Sequence, residues 1–190
     1  MVPLIWRLKG RILRLVSPLF FRSVGKGTLF TGRVRLPLPR RNIDIGADCM
    51  IGHDVFFQTG RGSSVSIGRG CSLNTGCHIV ASDKITIGDD VAIGEYVSIR
   101  DQEHRFTPQT GVKGQGFNVA PIEIGDRVWI GRGVYIGPGS IVGAGSIVAA
   151  NSVLRGQYPP NVLLAGAPAV IKRNIHPSGE TSVPSDAAEQ

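Results

Sequence analysis

The sequence predicts an all-β solenoid: a parallel β-helix of about five triangular coils, with a basic helical segment before it and a short extension after it. Three observations predict it. An aliphatic column recurs every six residues, a glycine usually follows it, and extra residues enter only after every third repeat.

The aliphatic column runs Ile45, Ile51, Phe57, then Ile67, Leu73, Ile79, then Ile87, Ile93, Ile99. After a break it resumes at Ile124, Ile130, Ile136, Val142, Val148 and Leu154. Glycine follows at Gly46, Gly52, Gly68, Gly88, Gly94, Gly125, Gly131, Gly137 and Gly143. A small or β-branched residue stands four places on, as at Val55, Val91, Val128, Ser140 and Ser152. Six-residue self-similarity of this kind marks a parallel β-helix built from hexapeptides. Each hexapeptide supplies a short strand and a turn, and stacking buries an aliphatic face that one coil cannot bury alone. Insertions after Phe57, Ile79 and Ile99 set the coil at three hexapeptides and place all insertions on one edge.

The remaining segments follow from that frame. Residues 1–42 form a basic amphipathic segment, with Leu4, Leu8, Ile12, Leu15 and Leu19 at helical spacing among Arg7, Lys9, Arg11, Arg14 and Arg22. The expected helix, over 4–22, suits a cap on the first coil or a contact with an anionic membrane surface. Ten of the 21 Lys and Arg fall in the first 41 residues, and no Asp or Glu precedes Asp44. The solenoid covers 43–157, a closing segment 158–175, and a polar tail 176–190 reads as disordered. No stretch is long and apolar enough to span a bilayer, and the start lacks a secretory signal pattern, so the expected location is cytoplasmic. Cys49, Cys71 and Cys77 occupy the small-residue column, where free cysteine serves as a small buried hydrophobe. No aromatic-basic platform for nucleic acid is present.

The repeat breaks for about twenty residues in RDQEHRFTPQTGVKGQGFNVAP, leaving an irregular, Gly-rich loop over 103–121 with His104 near its start. The repeat [LIV]-G-x-x-[STAV]-x, PIEIGDRVWIGRGVYIGPGSIVGAGSIVAANSV and the closing LLAGAPAVIKR together resemble the hexapeptide-repeat acyltransferases. The similarity is to the sugar O-acetyltransferase branch, which includes maltose, nodulation-factor and capsule or exopolysaccharide acetyltransferases. The resemblance implies a left-handed coil, a homotrimer with sites in the clefts between subunits, and acetyl-CoA as cosubstrate.

The resemblance also implies residue roles. His104 takes the place of the general base that removes the proton from an acceptor hydroxyl, so that the oxygen attacks the thioester directly. Histidine suits the task, since its reference pKa of about 6.5 leaves it largely neutral near pH 7. Asp101 or Glu103 would orient the ring, and the sequence does not choose between them. Asn74 matches a position on the acceptor side of the cleft. Gly131, Val134, Ala149, Ala150 and Ser152 match the coenzyme side through their backbone, with Arg155 and Lys172 as phosphate partners. From Arg127 to Asn174 the chain has no acidic residue, which suits a polyanionic ligand. The implied acceptor is a sugar, a nucleotide sugar or a polysaccharide precursor. Two other functions are open to the same fold. A γ-type carbonic anhydrase needs three converging histidines, whereas His78 and His104 have no close partner in sequence. A non-catalytic scaffold needs no long loop with a histidine.

Overall fold

The computed structural model describes residues 19–37 and 41–176. Among these there is no α-helix, and the chain winds as a left-handed parallel β-helix. Six full coils are present, one more than the repeat predicts. The first comprises β1 (Ser23–Val24), β2 (Leu29–Phe30) and β3 (Val34–Arg35). The second is β4 (Ile43–Ile45), β5 (Met50–Ile51) and β6 (Val55–Thr59). The third is β7 (Ser64–Ile67), β8 (Ser72–Leu73) and β9 (His78–Ala81). The fourth is β10 (Lys84–Ile87), β11 (Ala92–Ile93) and β12 (Ser98–Arg100).

A hairpin of β13 (Gln102–His104) and β14 (Phe117–Val119) then leaves the prism. Winding resumes with β15 (Ile122–Ile124), β16 (Trp129–Ile130) and β17 (Tyr135–Ile136), then β18 (Ile141–Val142), β19 (Ile147–Val148) and β20 (Val153–Leu154). The chain ends in β21 (Gln157–Tyr158), β22 (Val162–Gly166) and β23 (Ala169–Asn174). Three parallel sheets form the walls. The first is headed by β1 and ends at β21, the second runs from β2 to β22, and the third from β3 to β20. β23 closes the second sheet by pairing antiparallel with β22.

The extra coil escaped the pattern because its turns depart from it. Val24, Phe30 and Leu36 keep the six-residue spacing, but only Gly25 follows in the glycine column. The register nevertheless stacks Val24 on Ile45 and Phe30 on Ile51. Phe21 is buried below this coil, with its ring 5.8 Å from Phe30 and 6.2 Å from Phe57. The expected helix over 4–22 falls mostly on residues 4–18, outside the described residues. Leu19–Arg22 are not α-helical. The tail beyond His176 is likewise outside them.

The inner column behaves as the periodicity predicts. Ile51, Leu73, Ile79, Ile99, Ile130 and Leu154 are fully buried, and the three cysteines lie in the same core. Burying an aliphatic side chain of this size is worth about 1.5–3 kcal/mol, so the prism is held by one repeated contact. The glycines at the corners allow coils to approach. A Cβ on Gly131 would stand 2.6 Å from the Ala150 nitrogen, closer than real Cβ atoms come to backbone.

Candidate active site

The hairpin leaves the corner where the third sheet turns into the first. Asp101 fixes its base. This carboxylate is buried and accepts the Ser82 and Asp83 backbone N–H groups, each at 2.7 Å. Burial pushes its carboxyl up from the ordinary value, against the pull of those amides. Opposite, the Ala120 N–H donates to the Asp101 carbonyl at 2.9 Å. The segment expected to be irregular is therefore a regular antiparallel ladder near its root, with Gln102 opposite Val119, Glu103 opposite Asn118 and His104 opposite Phe117.

Alternation along β13 gives the hairpin two faces. Gln102 and His104 share one with Phe117, and Glu103 takes the other. His104 is exposed, and its ring centroid lies 4.3 Å from that of Phe117. Glu103 reaches the sixth coil, where the Arg155 guanidinium donates two hydrogen bonds of 2.5 Å to it. That pairing holds the Glu103 carboxyl below the usual range. Arg155 also lies over Tyr135, 5.7 Å from the ring centroid.

The two carboxylates expected to orient His104 thus have other partners. Asp101 holds the turn at 82–83 and Glu103 holds Arg155. Among the described residues no hydrogen bond joins either to the imidazole. Arg155, expected on coenzyme phosphate, is a latch for the hairpin in the single chain.

The other expected site residues lie at a different corner. Asn74, Gly131 and Ala149 follow strands of the second sheet and stack where it turns into the third. Their N–H groups donate up the ladder to Ile93, Val148 and Leu164. The Asn74 amide also donates to Glu95 at 3.4 Å. Ala150 is exposed beside Ala149. Val134 and Ser152 are buried in the small-residue column, and the Ser152 hydroxyl accepts the Gly166 N–H at 3.2 Å. With about 1% of each residue exposed, neither is open to a ligand in the single chain, against the expectation for the coenzyme side. Lys172 is exposed on β23. A single prism therefore brings Asn74, Gly131, Ala149 and Ala150 together and leaves His104 on another edge.

Beside His104 the hairpin encloses a recess of about 360 Å³ against the third sheet. Pro37, Val80 and Phe117 give it apolar walls, and Gln58, Ser82 and Gln102 give it polar ones. The Ser82 hydroxyl donates to Gln102 at 2.8 Å. The sequence offered one faint signal of this recess: Phe117 is one of two phenylalanines, with Phe106, on the loop of an aromatic-poor chain. Among the described residues no three His, Cys, Asp or Glu groups converge as metal ligands, and no helix is long and apolar enough to cross a membrane.

Two family profiles match the chain. Bacterial transferase hexapeptide (six repeats) matches residues 121–156, and the hexapeptide repeat of succinyl-transferase matches residues 42–81. No curated protein sequence matches it. Among solved structures, it is similar to a maltose O-acetyltransferase from Clostridium difficile 630, at 27% identity over 93% of this chain and 79% of that one, with a TM-score of 0.61. A hexapeptide-repeat acetyltransferase from Vibrio cholerae O1 biovar eltor, complexed with acetyl coenzyme A, shares 24% identity over 90% and 88%, with a TM-score of 0.56. AntD, an N-acyltransferase from Bacillus cereus in complex with dTDP and 3-hydroxybutyryl-CoA, shares 18% over 86% and 88%, with a TM-score of 0.76. The last two likenesses bear on the fold alone.

Proposed function

Because this chain is a hexapeptide-repeat acyltransferase, we propose that it moves an acetyl group from acetyl-CoA to a hydroxyl of a sugar, nucleotide sugar or polysaccharide precursor, with His104 as the base. One observation carries this reading. An exposed histidine stands on a hairpin, next to a recess with mixed polar and apolar walls, in a chain whose fold is shared with acetyl-coenzyme A-dependent enzymes. The maltose O-acetyltransferase likeness favours oxygen as the acceptor atom.

An imidazole nitrogen of His104 takes the proton of the acceptor hydroxyl. The oxygen attacks the acetyl carbonyl carbon, and the resulting intermediate collapses with loss of the coenzyme thiolate. The imidazolium returns its proton to that sulfur. Phe117 fixes the ring plane by packing, while Asp101 and Glu103 hold the strand that carries it. The coenzyme lies along the corner of Gly131, Ala149 and Ala150, with Lys172 near a phosphate. His104 and that corner occupy different edges of one prism, so the complete site forms between subunits of a homotrimer. We place the enzyme in the cytoplasm, with the basic stretch before residue 19 as its contact with an anionic membrane surface.

Purified protein mixed with acetyl-CoA and a panel of sugars and nucleotide sugars tests the reading, with free thiol followed and His104→Ala alongside. Acceptor-dependent thiol release that collapses in the variant is expected. Equal release from both proteins removes His104 from the mechanism. No release, together with no coenzyme binding in a calorimeter, removes the acyltransferase reading.

A further inference from the structure

One side chain of the recess has a free donor beside His104 and no role in the reaction so far. Among the described residues, no charged side chain lines the recess, and its polar side chains are Gln58, Thr59, Ser82 and Gln102. A hydroxyl has one proton to donate, and a carboxamide has two. Both hydroxyl protons are engaged within the protein. Thr59 donates to the Asn42 side-chain oxygen at 2.7 Å, and Ser82 donates to the Gln102 side-chain oxygen at 2.8 Å. The side-chain donors left for a ligand are therefore the amide nitrogens of Gln58 and Gln102, and neither makes a hydrogen bond among the described residues.

The two are held differently. Gln58 is exposed on β6. Gln102 is half-buried, and its oxygen is fixed by Ser82, whose own backbone N–H is held by the buried Asp101 carboxylate at 2.7 Å. With the oxygen turned to Ser82, the amide nitrogen is the free end. A donor already held in place loses little side-chain freedom when a ligand binds.

Its position relates it to the base. Gln102 and His104 are alternate residues of β13, on one face and roughly 7 Å apart along the strand. Phe117 joins them, since it lines the recess and its ring centroid is 4.3 Å from that of His104. Glu103 lies on the other face, bonded to Arg155. A ligand resting on Phe117 is thus within reach of both the Gln102 amide and the imidazole.

We infer that Gln102 selects which acceptor hydroxyl is acetylated. Its amide nitrogen donates to one oxygen of the acceptor, and that bond sets a neighbouring hydroxyl against His104. The part of the acceptor in the recess carries oxygens on adjacent carbons and no charge, because a buried charge without a partner is costly. This rests on the acetyl-transfer reading and adds to it the residue that fixes the position of the new ester.

Gln102→Glu isolates the donor. It keeps the shape of the side chain, and a carboxylate oxygen still accepts the Ser82 hydroxyl, but the free end no longer has a proton to give. Both full-length proteins are assayed with acetyl-CoA and the same sugar panel, then with the single-deoxy analogues of the best acceptor, and NMR locates the acetyl group. The wild type should form one ester. It should prefer the parent sugar to the analogue lacking the neighbouring hydroxyl by about 2- to 10-fold in kcat/KM. Gln102→Glu should lose that preference and form mixed esters, with its KM for acetyl-CoA and its melting midpoint unchanged. The inference is overturned, with acetyl transfer left standing, if the wild type treats every deoxy analogue like its parent. It is equally overturned if both proteins share one preference and one ester. Transfer by the wild type to no member of the panel removes both readings.

Discussion

His104 and Asp101 sit three residues apart and do opposite kinds of work. His104 is exposed and its ring packs on Phe117 at the surface, so its loss costs little folding energy. We expect His104→Ala to lower the turnover number for acetyl transfer by ~10²–10⁴-fold, with an unchanged thermal midpoint. Asp101 is buried and satisfies two backbone N–H groups. Asp101→Ala leaves both donors unpaired in the interior, and each such loss costs about 1–3 kcal/mol. We expect urea denaturation to show a destabilisation of about 2–4 kcal/mol. A result near zero would mean that water replaces the carboxylate and that the turn at 82–83 is not held by it.

At the scale of elements, the hairpin is an addition to the prism and not part of its frame. Its base closes through the Ala120 N–H and Asp101 carbonyl, and β12 and β15 already belong to continuous sheets. Replacing residues 102–119 by two glycines should leave stability within about 1 kcal/mol, since exposed segments contribute little burial. The same deletion should abolish transfer, and a fully active product would remove the hairpin from the site. The Glu103–Arg155 latch has its own pH signature. The Glu103 carboxyl is held below its ordinary value of 4.5 by Arg155. An acid with a lowered folded pKa stabilises above its unfolded value, and that contribution is lost as pH falls through the folded one. The latch should therefore be intact at neutral pH and open only below about pH 4.5, seen as faster hydrogen exchange of the hairpin amides. Glu103→Gln should show that faster exchange at pH 7. Because the pair is exposed, overall stability should move by less than about 1 kcal/mol.

For the whole molecule, stability comes from one column repeated through the stack. Ile99 is fully buried between Ile79 and Ile136, its register partners in the coils on either side. Ile99→Ala should cost about 2–5 kcal/mol in chemical denaturation. Each coil depends on its neighbours, so one cooperative transition is the expected form. The proposed trimer follows from where the site residues lie. His104 and the Gly131–Ala149 corner are on separate edges, and light scattering should give three times the chain's 20.2 kDa. A monomer that still transfers acetyl groups would require a coenzyme path within one prism.

The sequence by itself determined the period, the three-walled coil, the inner column and the single edge from which insertions leave. Those depend on local rules, because the same side chain meets its own copy one coil away and every hexapeptide between Ile45 and Leu154 reports the same geometry. It left the first coil unseen, since stacking tolerates turns without the glycine column when register is supplied by the coil above. It picked out His104 but not the partners of its neighbours. That Asp101 turns inward to 82–83, that Glu103 crosses to Arg155, and that Phe117 comes back to His104 are contacts 13 to 52 residues apart. The recess beside Gln58 and Val80 is likewise a product of stacking. Outward side chains obey no periodic constraint, so only the tertiary structure decided which of them meet.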